Sequence, residues 1–164
     1  MNLLQLPGIA VAAISLGSIA ASAAGARVEE DGYCGRFVLV GGEKEVAFVD
    51  QGATGASIGD TRAGWRVLND EKGQPIGEVH FVATVTKVAE GGDTVVGDYV
   101  VTLPKGWLTA STIYTRRSAT DVSQRAGNAK LAVTGGVDLY RDVEGEIEIE
   151  AGDQPRYLFD LDCD

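Results

Sequence analysis

Beyond residue 35 the chain repeats one pattern: short apolar runs, about 8 to 14 residues apart, each closed by Gly or Asp. Its clearest form is Gly145-Glu-Ile-Glu-Ile-Glu150, where Ile147 and Ile149 fall on one face and Glu146, Glu148 and Glu150 on the other. Alternation at period two is what a half-buried strand demands, and no comparable stretch carries the 3.6-residue period of a helix. Runs read as strands are Arg36–Val40, Glu45–Val49, Thr61–Leu68, Glu78–Val88, Thr94–Leu103, Trp107–Thr115, Lys130–Thr134, Gly145–Ala151 and Arg156–Leu161. Asn69-Asp-Glu-Lys-Gly73, Glu90-Gly-Gly-Asp93 and Pro104-Lys-Gly106 read as tight hairpins, with glycine where positive φ is needed. Tight connections make sequence neighbours into sheet neighbours. The expectation is therefore an all-β meander, a single antiparallel barrel of roughly eight strands. Gly is frequent, 22 residues against 4 Pro, which fits glycines that punctuate strands.

A chain of 164 residues is long enough for one domain with its own core. Its net charge of −10 argues against a nucleic-acid partner, whose phosphates such a surface would repel. One histidine, His80, and two distant cysteines, Cys34 and Cys163, do not make a zinc site, so no metal is expected. Gly41-Gly42 is followed by charge rather than by a helix pattern, so no phosphate loop or dinucleotide fingerprint is read there. Residues 8 to 26 carry no charge and end in Ala21-Ser22-Ala23 and Ala24-Gly25-Ala26, both small-x-small cleavage patterns. No Lys or Arg precedes Arg27, so the basic start of a secretory signal is missing. Residues 1–26 are read either as a signal or as a retained apolar helix, ahead of a barrel domain at 27–164. Their Gly and Ser content speaks against a stable membrane span.

Alternation also sorts candidate lining residues. Taking the more apolar face of each strand as inward gives a lumen lined by Phe81, Tyr99, Thr112, Tyr114, Ile147, Tyr157 and Phe159. An eight-stranded barrel is just wide enough to fill with side chains or to hold one small ligand, and Ala83, Gly97 and Ala110 are expected to leave room for one. The plain alternative is that all of these fill a core. The serines fall in turns, so no nucleophile constellation is read; Ser57-Ile-Gly-Asp60 is read as a chain reversal. Arg62 and Arg66 share a face of one strand, with Trp65 on the other. With a carboxylate such as Asp50 or Glu78 nearby they would either orient an oxygenated substrate or form rim ion pairs. Tyr99 and Tyr114 are the candidate catalytic donors, because a buried phenol needs a hydrogen-bond partner that a ligand oxygen can supply. Trp65, Arg66, Phe81, Trp107, Thr112 and Tyr157 are the candidate substrate contacts; for the tryptophans the alternative is that they pin the barrel ends.

Lys130-Leu-Ala-Val-Thr-Gly-Gly136 with Gly145–Glu150, preceded in order by Phe48-Val-Asp-Gln-Gly52, Ser57-Ile-Gly-Asp60 and Gly73-Gln-Pro-Ile-Gly77, resembles the allene oxide cyclase and dirigent superfamily over residues 35 to 163. The chain departs from that pattern at Gly136-Val-Asp-Leu-Tyr140, where the superfamily shows Gly-Thr-Gly. The resemblance implies a small barrel with an apolar lumen and cofactor-free control of ring closure, nearest to the bacterial enzymes that perform [4+2] cycloadditions or spirocyclisations of polyketides. The implied partner is a small hydrophobic polyene; a dimer or trimer of the barrel stays open. Bacterial members of this kind carry N-terminal caps, so the retained reading of residues 1–26 becomes a lid on a cytoplasmic enzyme. Dirigent proteins carry a terminal cysteine pairing, which here would join Cys34 and Cys163 in an exported protein; two free thiols are the other reading. A secreted dirigent-like or ligand-binding barrel without turnover is the second functional class.

Overall fold

The structure is a computed structural model and describes residues 33–52, 54–116 and 129–163. The segment read as signal or lid and residues 117–128 lie outside these residues. Eight strands follow one another: β1 (Gly35–Val49), β2 (Thr61–Asn69), β3 (Pro75–Lys87), β4 (Asp93–Leu103), β5 (Gly106–Arg116), β6 (Ala129–Asp138), β7 (Glu144–Glu150) and β8 (Arg156–Asp162). Each pairs antiparallel with the next, and β1 pairs with β8 to close the barrel. Closure gives every strand a neighbour on both sides, although β1 beyond Val40 has no β8 partner and β5 beyond Ser111 has no β6 partner.

Two of the runs expected as separate strands, Arg36–Val40 and Glu45–Val49, are one strand of 15 residues. Gly41-Gly42 is a bulge in place of a turn: the β1–β2 register slips between Gly41 and Lys44, so Gly42 and Glu43 together stand opposite one residue. Glycine is required there. A Cβ on Gly41 would come within 2.7 Å of Arg66 Cδ and 2.9 Å of Pro155 Cγ, and the Gly41 N–H donates to Pro155 O at 2.8 Å. The bulge has a second effect. It switches the phase of the strand, so that Phe37, Leu39 and Gly41 face inward below it and Lys44, Val46 and Phe48 above it.

The two ends of the barrel differ. At the lower end, where Gly35, Asn69, Leu103 and Asp162 lie, the lumen is filled by Phe37, Leu39, Leu68, Val79, Val101, Leu108, Leu131, Ile147 and Phe159, all buried. Phe37 and Phe159 stack at 4.5 Å, and Tyr33 meets Phe37 edge-on at 5.0 Å. Each aliphatic or aromatic side chain removed from water here stabilises the fold by about 1.5–3 kcal/mol. Tyr140, from the β6–β7 turn, plugs this end. Its hydroxyl donates to Pro104 O and accepts the Tyr33 N–H, both at 3.2 Å, and burial raises its pKa above the usual phenol value. Below the plug, Cys34 and Cys163 form a disulfide with Cα atoms 6.1 Å apart. The upper end is where β1, β3, β5 and β7 finish.

Candidate active site

Strand register fixes which side chains enter the upper lumen, because residues opposed in an antiparallel pair share a face. Arg62 opposes Ala83, Gly64 opposes Phe81 and Arg66 opposes Val79, so both arginines point inward with these apolar residues. Lys44 opposes Arg66, and Phe48 opposes Arg62. The result is a cavity of about 430 Å³ lined by Lys44, Val46, Arg62, Arg66, Phe81, Tyr157 and the β7–β8 turn (Ala151, Gly152, Asp153, Pro155). Lys44 and Phe48 belong to the inward set yet are exposed, which locates the mouth on the upper half of β1. A volume of this size is in the range of sites for small organic ligands.

The walls combine aromatic surface with positive charge. The Arg62 guanidinium sits over the Phe81 ring at 5.8 Å, a cation–π arrangement. Arg66 Nη1 donates to Gly42 O at 3.2 Å, which anchors its head beside the bulge. Phe81 in turn stacks on Tyr99, centroids 6.0 Å apart and planes inclined by 29°. Tyr99 is buried among the core residues. The space expected to stay free beside Gly97 is taken by this ring: a Cβ on Gly97 would lie 3.1 Å from Tyr99 Cε2 and 3.6 Å from its Oη. Glycine there lets Tyr99 lean up the barrel.

Higher still, Tyr114 packs on Ala83, Val85 and Val95. Thr112 also faces inward, but its hydroxyl donates to Lys130 O at 2.6 Å, joining β5 to β6 just past the last paired residues, Ser111 and Ala132. The top layer holds a buried ion pair, Arg116 Nε to Asp93 Oδ2 at 3.4 Å. Asp60 caps the β1–β2 connection as the chain reversal requires, accepting the N–H groups of Gln51 and Ser57, each at 2.9 Å. These two bonds, that from Gln51 foremost, hold its carboxyl below the usual carboxylate range.

The structure thus brings Arg66, Phe81 and Tyr157 to one cavity, with Tyr99 stacked behind Phe81. The two tryptophans expected as substrate contacts are elsewhere. Trp65 opposes His80 and Glu45 on the outward face, and Trp107 is 40 % exposed on the outside of β5. Single-residue alternation decides this: Trp107 precedes inward Leu108, and Trp65 sits between inward Gly64 and Arg66. Glu78, considered as a partner for the arginines, bonds His80 Nε2 on the outer wall at 3.1 Å. Lys44 was not singled out from the sequence. The signal for it is the phase Lys44, Val46, Phe48 after the glycine pair, visible once Gly41-Gly42 is taken as a bulge. A larger hollow of about 740 Å³ lies on the outer wall between β6–β8, β1 and the β2–β3 turn. Its exposed charges pair with each other, Arg36 with Asp160 at 2.9 Å and Lys130 with Glu146 at 3.1 Å, which makes it a solvated surface groove.

A closed eight-stranded antiparallel meander defines the class of protein: a small all-β barrel. Among solved structures the same fold is found in a pyocyanin demethylase, with a TM-score of 0.66 at 21 % identity over 77 % of this chain and 99 % of that one. It is also found in a nonspecific heme-binding cyclase that catalyses [4+2] cycloaddition during neoabyssomicin biosynthesis (TM-score 0.60, 12 % identity, 77 % of this chain and 63 % of that one). A third is the Diels–Alderase AbmU from Streptomyces koyangensis (TM-score 0.59, 14 % identity, 79 % of this chain and 64 % of that one). At these identities the likeness is one of fold. The chain spans slightly less than two thirds of the two cyclases. No protein-family model and no curated protein matches the sequence.

Proposed function

We propose that this protein is a stereoselective cyclase that closes a ring in an unsaturated, polyketide-type chain, by [4+2] cycloaddition or a related pericyclic step, without a cofactor. The observation that carries the reading is the cavity above the packed floor, with an aromatic wall of Phe81 and Tyr157 and cationic side chains at its mouth, in a barrel of the fold used by [4+2] cyclases. Such a reaction redistributes electrons around a ring of six carbons and requires no proton to be moved. The protein's task is to fold a flexible chain so that diene and alkene meet, and restraint of this kind is worth several kcal/mol of barrier. Phe81 and Tyr157 supply the wall against which the chain folds. Tyr99, stacked behind Phe81, and Tyr114, in the layer above, do not line the cavity; they are the proposed phenol donors for a chain that reaches past Phe81, where a hydrogen bond to a carbonyl conjugated with the alkene draws electron density from it and lowers the barrier. The residues available agree with chemistry of this kind. His80 faces outward opposite Trp65, and both cysteines are tied in the disulfide.

The test is to incubate the purified barrel with linear polyenes that carry a conjugated diene and a carbonyl-activated alkene on one chain, following loss of diene absorbance and product configuration. A single stereoisomer formed faster than in buffer, with Phe81→Ala lowering both rate and selectivity, is the expected result. Product ratios identical to the uncatalysed reaction for every substrate would defeat the proposal. The Cys34–Cys163 bridge favours a second reading, an exported barrel that holds a ligand without turnover, since such bridges persist in oxidising compartments. Tight binding of a polyene with no change in it would select that reading.

A further inference from the structure

The charge on this protein is distributed in a way that names one feature of its ligand. The chain as a whole carries −10, and the outward faces of β7 and β8 present Glu146, Glu148, Glu150, Asp160 and Asp162. The mouth of the lumen is the reverse: three cationic side chains, Lys44, Arg62 and Arg66, line a single cavity in which, among the described residues, Asp153 is the one carboxylate. Among the described residues neither Lys44 nor Arg66 has a carboxylate within ion-pair distance, whereas Arg36, Lys130 and Arg156 on the outer wall each have one. The arginines are also held in place. Arg66 donates to Gly42 O, and Arg62 lies over Phe81. The Gly41 bulge leaves the room that the Arg66 side chain occupies, since a Cβ there would meet its Cδ at 2.7 Å. A core that wanted only apolar filling would not gather cations at its opening, because partly desolvated like charges repel.

We infer that the mouth is an anion clamp: the ligand carries a negatively charged oxygen, a carboxylate or an enolate, at one end, held by Arg66 and Lys44 with Arg62 beside them, while its apolar unsaturated body runs past Phe81 and Tyr157. This rests on the lumen being the ligand site proposed above. The acidic exterior disfavours contact of such a ligand with the outer wall, and the mouth draws it in, so the field of the protein selects the entrance. The clamp also sets direction. With the charged head fixed at the mouth, the chain has one way to lie along the lumen, and the folded geometry it presents to Phe81 and Tyr157 is the same in every molecule. Arg66 and Lys44 are specificity-determining and positioning residues in this account.

The probe is cis-parinaric acid, a fluorescent tetraene carboxylate, against its methyl ester, which keeps the polyene and deletes the charge. Both are titrated at low ionic strength into wild type, Lys44→Gln, Arg66→Gln and the double variant. The acid is expected to bind at least about tenfold more tightly than the ester, the gain of a charge-assisted bond at a partly exposed site. The double variant should bring the acid to the level of the ester without weakening the ester, and added salt should weaken the acid alone. If Arg66→Gln fails to fold, Lys44→Gln, exposed at the mouth, still reads the clamp, with about a threefold loss for the acid only. Equal binding of acid and ester to wild type, with Phe81→Ala weakening both, overturns the clamp and leaves the lumen reading standing. Binding of neither, or indifference of both to Phe81→Ala, overturns the lumen reading and the clamp with it. A preference for acid that survives the double variant but vanishes in Lys130→Gln would place the anion in the outer groove, and the clamp would be wrong.

Discussion

Removing the Cys34–Cys163 bridge tests how the barrel is held shut. The two cysteines are separated by 129 residues, nearly the whole domain, and the bond joins the start of β1 to the end of β8. In the chain-entropy model a loop of this length restrains the unfolded state by about 5 kcal/mol, against a total stability of about 5–15 kcal/mol for an ordinary domain. The same ends are already joined by the β1–β8 ladder from Gly35↔Leu161 to Val40↔Arg156, so the folded barrel needs no bridge to define its shape. The Cys34→Ser/Cys163→Ser variant should therefore keep the circular dichroism of the wild type while losing most of this margin. At about 3–4 °C per kcal/mol for a domain of this size, melting should fall by about 10–20 °C. Urea titration with and without reductant measures the same quantity at constant temperature. The slope with urea should rise as well, because the unbridged chain unfolds to a more expanded state. Each single Cys→Ser variant should match the double. A reduced protein whose midpoint moves by less than about 1 kcal/mol would refute the reasoning, since it would mean that the denatured chain keeps its ends together unaided.

Three further outcomes follow from the site. Asp93→Ala leaves buried Arg116 without its ion-pair partner and should cost about 3–5 kcal/mol by urea unfolding, only part of it recovered in Asp93→Ala/Arg116→Met, because buried Asp60 then loses the attraction of Arg116. Asp60 has a carboxyl pKa held below its unfolded value near 3.9, so its contribution is full above that value and lost as pH falls through the folded pKa; the wild-type melting temperature should drop more steeply on acidification below about pH 4 than that of Asp60→Asn, whose amide cannot accept both the Gln51 and Ser57 N–H groups. Tyr99→Phe and Tyr114→Phe each delete one hydroxyl at constant ring volume, and loss of a neutral hydrogen bond to the reacting carbonyl should slow ring closure about tenfold, checked by single-turnover rates beside the outer-wall Glu148→Gln, which should leave the rate unchanged.

Much of the architecture was legible in the chain because a strand declares itself locally. Alternation such as Glu146-Ile-Glu-Ile-Glu150 needs no partner to be recognised, and short glycine-bearing turns dictate that neighbours in sequence pair. The inward set on β4 and β5 followed from the same parity: Tyr99, Leu108 and Ala110 are buried as alternation requires, and the Ser57–Asp60 reversal is capped as its residues suggest. Parity also limits such a reading, because one inserted residue inverts a face. Gly41-Gly42 looks like a turn in isolation and becomes a bulge only because Arg66 and Pro155, distant in sequence, pack across it. That inversion is what turns Lys44 into the lumen, and no local signal near Lys44 distinguishes the two cases. Aromatic content misled for the opposite reason: Trp65 and Trp107 are large and apolar, yet their phase puts them outside, where Trp107 is 40 % exposed. What the sequence by itself determined is therefore the class of fold, the order of strands and part of the apolar floor, Ile147 and Phe159 among it, all consequences of local periodicity and short connections. Only the tertiary structure decided where the cations stand, because the grouping of Lys44, Arg62 and Arg66 depends on register between strands, and register is a property of closure.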